Sequence, residues 1–441
     1  MTFSENHDSR EIYDSDFSQE FSSFDSINSI NFPSDGCTQC GLCLPTCPTF
    51  KISGELSHSP MGRIQISRNI SRDDYQYSTS DHDALESCLI CRSCESICPS
   101  QVAYVNLLGT AMQQLNEKRS KSFVIKMMMF LSDKPTLFRI IIAIVKPTSP
   151  VINLLRKYLK SNTLKSSSQM FSYMKYARVG LDKWSTNVPV KHNAPKVSLF
   201  AGCMSSVFDV PVLESTVKLL SRLGVDVVIP DKQTCCGALH GHNGEKSQAI
   251  DLAMKNMIAF SGDSKSTIIS TASGCGQMLQ DYGDLVSGNV DFQSTSASDF
   301  SARVTDVSSY LLKSGILENA VFSPCNKIVA VHIPCTLKLD GEQSSAAIKV
   351  LEKIPGLEMC YILENITCCG AGGSHLLSHT ESANKIRKNI LSTLSELGAD
   401  VLLTSNIGCA LHLKEGVDAR KMKIDVMHPV QLLEKYLKTT E

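Results

Sequence analysis

Residues 37–48 read CTQCGLCLPTCP and residues 88–99 read CLICRSCESICP. Each run is C-x2-C-x2-C-x3-C-P, a spacing that lets three nearby thiolates take three corners of an iron–sulfur cube while the fourth points away to a neighbouring cube. In that arrangement Cys37, Cys40, Cys43 and Cys98 hold one [4Fe–4S] cluster, and Cys88, Cys91, Cys94 and Cys47 hold the other. Paired C-x2-C elements also make structural zinc sites. Zinc, however, predicts two cysteines, a spacer and two more, whereas here four cysteines and a proline recur inside a dozen residues. Two adjacent cubes transfer single electrons, at potentials anywhere from roughly −700 to +450 mV.

A second set of thiols has a different logic. QTCCGA (233–238) and ITCCGA (366–371) each carry a cysteine doublet before a glycine. Neighbouring side chains on an extended backbone face opposite ways, so a doublet grips one small ion poorly but can reach different irons of a polynuclear centre. Around the doublets the markers repeat: Cys203 to Cys335, Cys235 to Cys368 and Cys275 to Cys409 are 132, 133 and 134 positions apart. A drift of one residue per marker over that distance signifies an internal duplication. The two sets are Cys203, Cys235, Cys236 and Cys275, then Cys335, Cys368, Cys369 and Cys409. Gly202, Gly237, Gly274 and Gly276 lie among the first set, and glycine there would leave room for a bulky group.

The elements that must position these thiols follow from periodicity. From 196 onward short β-branched runs alternate with helical spacing: KVSLFAGC ends at Cys203, STIISTASGCG at Cys275 and its neighbour, KIVAVHIPC at Cys335 and ADVLLTSNIGC at Cys409. Alternation of this kind predicts parallel α/β sheets with the cysteines at one sheet edge. The expected fold is therefore α/β: an α-helical two-cluster domain over 36–108, a helical linker over 109–195, and two duplicated parallel cysteine-rich domains over 196–325 and 326–441. In the linker the longest apolar run is IIIAIV (140–145), far short of the ~20 residues that span a bilayer. Its helices, interspersed with Lys126, Lys134, Arg139 and Lys146, pack on the protein or rest on a membrane surface. Residues 1–35 are rich in Ser, Asn and acid and predict a disordered acidic tail.

Composition narrows the function classes. The chain has 441 residues, 18 cysteines and a formal net charge of −1, so no basic field recommends nucleic acid as a partner. The polar, acidic N-terminal stretch lacks a secretory pattern, which predicts a reducing, cytoplasmic setting in which clustered thiols are metal ligands. No strand-to-helix G-x-G-x-x-G marks a flavin or nicotinamide site. A chain that holds electrons yet accepts no hydride is a relay.

CCG-type cysteine-rich domains in duplicate behind a two-cluster ferredoxin module resemble the iron–sulfur subunit of glycolate oxidase. The likeness is carried by both ferredoxin runs, GRI (62–64), TCCGA, TASGCG, IPCTL, TCCGAGG and SNIGCALHL. Related architecture occurs in the anaerobic glycerol-3-phosphate dehydrogenase small subunit and the heterodisulfide reductase catalytic subunit. The resemblance implies an FAD-containing partner that oxidises glycolate to glyoxylate, no catalytic residue on this chain, and a quinone or other membrane acceptor at the inner face of the cell membrane. Relays for lactate, 2-hydroxyglutarate or glycerol 3-phosphate, and a non-redox protein stapled by clusters, are the alternatives. In heterodisulfide reductase each domain ends in C-x-x-C, which helps hold an additional noncubane centre. Here the equivalent pairs are Cys275 with Met278 and Cys409 with His412, so His412 joins the ligand candidates and the second domain is the better host. His240, His242, His332 and His375 are read as hydrogen-bonding residues, Cys325 and Cys360 as unligated thiols, and Arg63 as a solvated surface charge in preference to a hydrogen-bond donor to cluster sulfur or a partner contact.

Overall fold

A computed structural model describes residues 36–72, 74–118, 121–148, 172–178, 194–263, 265–287, 294–362 and 368–438. The chain divides into Met1–Asp35 and Gly36–Glu441; the expected tail over 1–35 lies outside the described residues.

In the N-terminal part each cysteine run feeds a short helix. Pro48, the last residue of the first run, opens α1 (Pro48–Ser53) at the position where a missing N–H costs nothing. Ser59 caps α2 (Pro60–Ile70) by accepting the Gly62 N–H at 3.0 Å, and Ser78 with Asp81 forms a capping box on α3 (Thr79–Glu86). The second run contains α4 (Ser93–Ser96). Next comes α5 (Tyr104–Lys118), whose Tyr104, Leu107, Leu108, Ala111, Met112 and Leu115 are all buried. That continuous apolar face carries the helix through the boundary expected at residue 108. The linker therefore starts after α5, because a core-facing helix cannot be cut at its second turn without exposing its stripe.

The linker helices α6 (Phe123–Ser132) and α7 (Pro135–Val145) bury Leu131, Phe138 and Ile142 in a cluster shared with Val207, Phe208 and Leu411. Their other faces leave Phe123, Phe130, Leu137, Ile140 and Ile144 exposed. No helix among the described residues is long and apolar enough to cross a membrane.

The remainder is two four-stranded sheets, both entirely parallel. The first runs β2-β1-β3-β4, with β1 Lys196–Phe200, β2 Asp226–Val228, β3 Thr267–Ser270 and β4 Val304–Asp306. The second repeats that order as β6-β5-β7-β8, with β5 Ile328–His332, β6 Glu358–Tyr361, β7 Val401–Thr404 and β8 Asp425–Met427. β1 and β3 pair with Val197 opposite Thr267, as β5 and β7 pair with Val329 opposite Val401. The central strands are buried nearly throughout, as helices on both faces of a parallel sheet require. The repeats do not have separate interiors: Val197, Leu199, Leu213 and Leu220 share one apolar cluster with Val329, Val331, Val401, Leu403 and Val430. Helices α8 (Val210–Arg222) and α9 (Pro429–Tyr436) meet across that join.

Two histidines at the sheet ends make this core sensitive to acid. His332 and His428 are buried, and burial lowers each to about 3. Unfolded, each titrates near 6.5, so between those values the unfolded chain takes up protons that the native state refuses. The stability they leave intact above pH 6.5 is lost as pH falls. Urea unfolding of iron-free protein should show a loss of about 1 kcal/mol per histidine between pH 7 and pH 5.5; an unchanged midpoint would mean that these rings are hydrated.

Candidate metal centres

The eight cysteines of the two N-terminal runs line two neighbouring cavities. Cys37, Cys40, Cys43 and Cys98 stand on the wall of the first, together with Met61, Ile64 and Val102. Cys47, Cys88, Cys91 and Cys94 stand on the wall of the second, with Arg63, Arg92 and Tyr104. Cys94 also reaches the first, so the cavities adjoin. The fourth cysteine of each run thus faces the cavity of the other run.

Backbone conformation explains how consecutive thiols come to face inward. Gln39 and Gly41 in the first loop, and Ile90 and Arg92 at the same places in the second, have φ of 56°, 77°, 50° and 58°. Left-handed residues two and four positions after the first cysteine curl each loop, at a cost of roughly 1–2 kcal/mol for each residue that is not glycine. The Ile90 N–H consequently points at Cys88 Sγ at 3.4 Å.

The electrostatics fit a polynuclear cation core. Burial, followed by the charge of Cys37, pushes Cys43 up to about 11. Burial and then Cys335 push Cys91 up to about 12. Four such thiols can all become thiolates only if a cationic group among them offsets burial and mutual repulsion. No three His, Cys, Asp or Glu side chains among the described residues stand close enough to share a single ion. A cube takes one sulfur at each of four irons, and each wall carries at least four cysteines, with Cys94 on both.

Arg63 is not the solvated charge expected from its sequence context. It is 1% exposed. Its Nε donates to Ala84 O at 2.6 Å, its Nη2 to Thr49 Oγ1 and Ser87 Oγ at 3.0 Å each, and its Nη1 points at Cys47 Sγ at 3.9 Å. Tyr104, also buried, donates its hydroxyl to Cys88 Sγ at 3.6 Å. Neither Thr49 nor Ser87 was legible as part of the site. The one available signal was the position of Arg63 on the α2 face that carries Ile64, Ser67 and Ile70, all buried.

The cysteine-rich domains place their thiols beyond the C-terminal ends of the strands. Cys203 follows β1, the doublet Cys235–Cys236 follows β2, and Cys275 lies in the helix Ser273–Gln280 after β3. This crevice is where strand order reverses, the usual ligand position of an open α/β sheet. Cys203 Sγ lies 3.5 Å from Cys235 Sγ. Hydrogen bonds from Cys203 and Cys236 hold the Cys235 thiol well below its ordinary value, and the two donors are held above theirs. In the second domain Cys335 follows β5, Cys368–Cys369 follows β6 and Cys409 follows β7. Cys369 Sγ and Cys409 Sγ are 2.7 Å apart, and the Cys335 thiol is pushed well up by its hydrogen bond to Cys368 and by burial. The glycine after each doublet has a local reason. Gly237 and Gly370 have φ of 87° and 89°, a left-handed turn that favours glycine, and their N–H groups point at Cys235 Sγ at 3.5 Å and Cys368 Sγ at 3.4 Å. A Cβ on Gly370 would lie 2.7 Å from Ala383 O.

The other glycines do less for a bulky group than expected. A Cβ on Gly202 would meet the Phe200 ring at 3.0 Å and Cys275 Sγ at 3.8 Å, but those on Gly274 and Gly276 would meet Asn406 and Ser270. They admit neighbouring chain. His412 also departs from expectation. It is fully buried, with Nε2 3.1 Å from Ala383 O and Nδ1 3.3 Å from the Tyr173 hydroxyl and 3.4 Å from Arg387 Nη1. Both ring nitrogens are engaged by protein groups, so His412 drops out of the ligand set. His332 meets Thr404 Oγ1 at 3.0 Å, the hydrogen-bonding role expected of it, and His240 Nε2 lies 3.3 Å from the Asp133 carboxylate.

The two thiol systems touch. Cys91 of the second cavity packs in one cluster with Leu89, Cys335, Cys368 and Ile386. Gly372 lies so close that a Cβ there would sit 2.0 Å from Leu89 O. The first cavity faces outward: Cys40 is exposed, with Leu42 and Ile97 exposed beside it.

Residues 33–102 match the 4Fe-4S dicluster domain, and residues 197–280 and 329–414 match the CCG cysteine-rich domain. These matches and the two parallel sheets define the class: an iron–sulfur protein with a dicluster domain ahead of two cysteine-rich domains. Within that class the chain resembles the iron–sulfur subunits of glycolate oxidase. It is 28% identical to the probable glycolate oxidase iron-sulfur subunit of Bacillus subtilis (strain 168), over 90% of this chain and 92% of that one. It is 26% identical to the glycolate oxidase iron-sulfur subunit of Escherichia coli (strain K12), over 91% and 93%. Lactate utilization protein A of Halalkalibacterium halodurans is 29% identical over 56% of this chain and 99% of its own length. In fold, a crystal structure of a hypothetical protein from Helicobacter pylori superposes with a TM-score of 0.51 at 11% identity, covering 87% of this chain and 68% of that one.

Proposed function

We propose that this chain is the electron relay of a glycolate-oxidising complex. It would accept electrons from an FAD-containing subunit that turns glycolate into glyoxylate and pass them to a quinone-type acceptor. The observation that carries this reading is the four-plus-four division of Cys37, Cys40, Cys43, Cys98 and Cys88, Cys91, Cys94, Cys47 around two adjoining cavities, one open to solvent and one against the second cysteine-rich domain. Bound there, two [4Fe–4S] clusters supply one-electron storage. The protein residues hold the two positions adjacent and bring Cys91 against Cys335 and Cys368. The eight doublet-domain cysteines, without His412, form a further ligand set for an additional iron–sulfur centre. Its better host is the second domain, where Cys91 makes the contact.

Anaerobic purification with iron and sulfide analysis tests this first. About eight irons mean that the two cubes alone are filled, and more mean that a doublet domain is occupied; colourless or zinc-loaded protein refutes the relay. The likeness to lactate utilization protein A favours lactate as the second substrate reading. Because the partner flavoprotein holds the substrate, assay of the assembled complex with glycolate, lactate and 2-hydroxyglutarate separates the two.

A quinone acceptor places the complex at a bilayer. The exposed Phe123, Phe130, Leu137, Ile140 and Ile144 on α6 and α7, interspersed with Lys126, Lys134 and Arg139, suit an anionic lipid surface. Co-sedimentation with anionic vesicles should be salt-sensitive and fall about tenfold in a Phe123→Ser/Ile144→Ser double variant. Equal binding by the variant would assign the face elsewhere.

A further inference from the structure

The structure assigns to Arg63 the role of raising the reduction potential of the inner cluster, the one ringed by Cys47, Cys88, Cys91 and Cys94. This rests on the relay reading above, because it requires a cluster in that cavity.

A guanidinium taken out of water is costly unless an opposite charge accompanies it. Arg63 is buried, and three of its four hydrogen bonds end on neutral oxygens, those of Ala84, Thr49 and Ser87. The fourth aims at the sulfur of Cys47. A guanidinium keeps its proton at any pH a protein meets, so the charge stays in place. No carboxylate takes part. The other arginine on this cavity, Arg92, differs in this respect. It is ion-paired to Glu95 at 2.5 Å and to Asp281 at 3.0 Å, so its charge is already matched. Among the described residues no arginine, lysine or carboxylate stands on the wall of the outer cavity, and Arg68 meets that site at the Cys37 carbonyl, 3.4 Å away. Arg63 is thus an unmatched cation facing one cluster and not the other.

A cube held by four thiolates is anionic, and reduction adds one more negative charge. A fixed positive charge at hydrogen-bonding range favours the reduced form more than the oxidised one. The inner cluster should therefore be easier to reduce than its ligand set alone would make it. Arg63 acts as a positioning and tuning residue and takes no part in bond making.

The test is a redox titration followed by EPR on the full chain, purified anaerobically, comparing wild type with Arg63→Gln and Arg63→Lys. At the potential that half-reduces the wild-type inner cluster, Arg63→Gln should lower its reduced-to-oxidised ratio about tenfold, equivalent to ~59 mV for one electron. The outer cluster should not move, and Arg63→Lys should restore most of the shift. If Arg63→Gln does not retain iron, Ser87→Asp gives the same readout. Ser87 Oγ lies 3.0 Å from Nη2, so a carboxylate there keeps the guanidinium in place while matching its charge, and the inner potential should fall similarly. Full iron content with both potentials unchanged in Arg63→Gln, or in Ser87→Asp where the first variant loses iron, overturns the assignment. Wild-type protein lacking two reducible clusters overturns the relay reading instead.

Discussion

Cys98→Ser protein should lose the outer cluster and keep the inner one, although Cys98 belongs in sequence to the run that supplies the inner cluster. Cys98 stands on the wall with Cys37, Cys40 and Cys43, and Cys47 stands with Cys88 and Cys91. Iron should drop from about eight to about four, and the surviving EPR signal should be that of the inner site. Cys47→Ser should give the complementary result. In the complex with its flavoprotein, either variant should leave flavin reduction by substrate intact. Electron delivery to an acceptor should fall by more than the ~100-fold that loss of a mere supporting partner costs a metal site. If Cys98→Ser removed the inner signal, each run would hold its own cube and the division of the cavities would be wrong. If turnover persisted with half the iron gone, the clusters would lie off the electron path.

Much of this site is legible because its ligands are local. C-x2-C-x2-C fixes three thiols within one curled loop, whatever the rest of the chain does, and the doublets repeat at a nearly constant interval because the gene segment was duplicated. The sheets are legible for the same reason: KVSLF and KIVAVH are short apolar runs each followed three residues later by a cysteine, and both became central parallel strands. What could not be read depends on partners distant in sequence. Arg63 is buried because Ser87 and Ala84, more than twenty residues away, take its donors. His412 is used up by Tyr173, Ala383 and Arg387, and no spacing rule brings those together. The apolar cluster joining the repeats is invisible for a related reason, since an amphipathic helix shows that a face is buried but not against which domain.

The contact between the inner cavity and the second cysteine-rich domain yields the second large effect. Gly372→Ala should destabilise the protein by about 3 kcal/mol and separate Cys91 from Cys335. Overpacking costs ~1–3 kcal/mol when side chains can shift. Here the added Cβ would meet backbone, at 2.0 Å from Leu89 O, 2.8 Å from Leu89 C and 3.0 Å from Leu89 Cα, so the upper end applies. Leu89 belongs to the ligand loop and packs with Cys335 and Cys368, so relief requires the loop and the second domain to part. Two readouts should move together. The urea midpoint should fall, and iodoacetamide should label Cys335 and Cys368 faster in iron-free variant than in iron-free wild type. Gly54→Ala is the control: nothing lies within 4 Å of its added Cβ, although its φ of 70° is left-handed. It should cost only the roughly 1–2 kcal/mol of that conformation, with no change in labelling. Wild-type stability and labelling in Gly372→Ala would mean that this close approach does not form in solution, and the proposed path through Cys91 into the second domain would lose its physical basis.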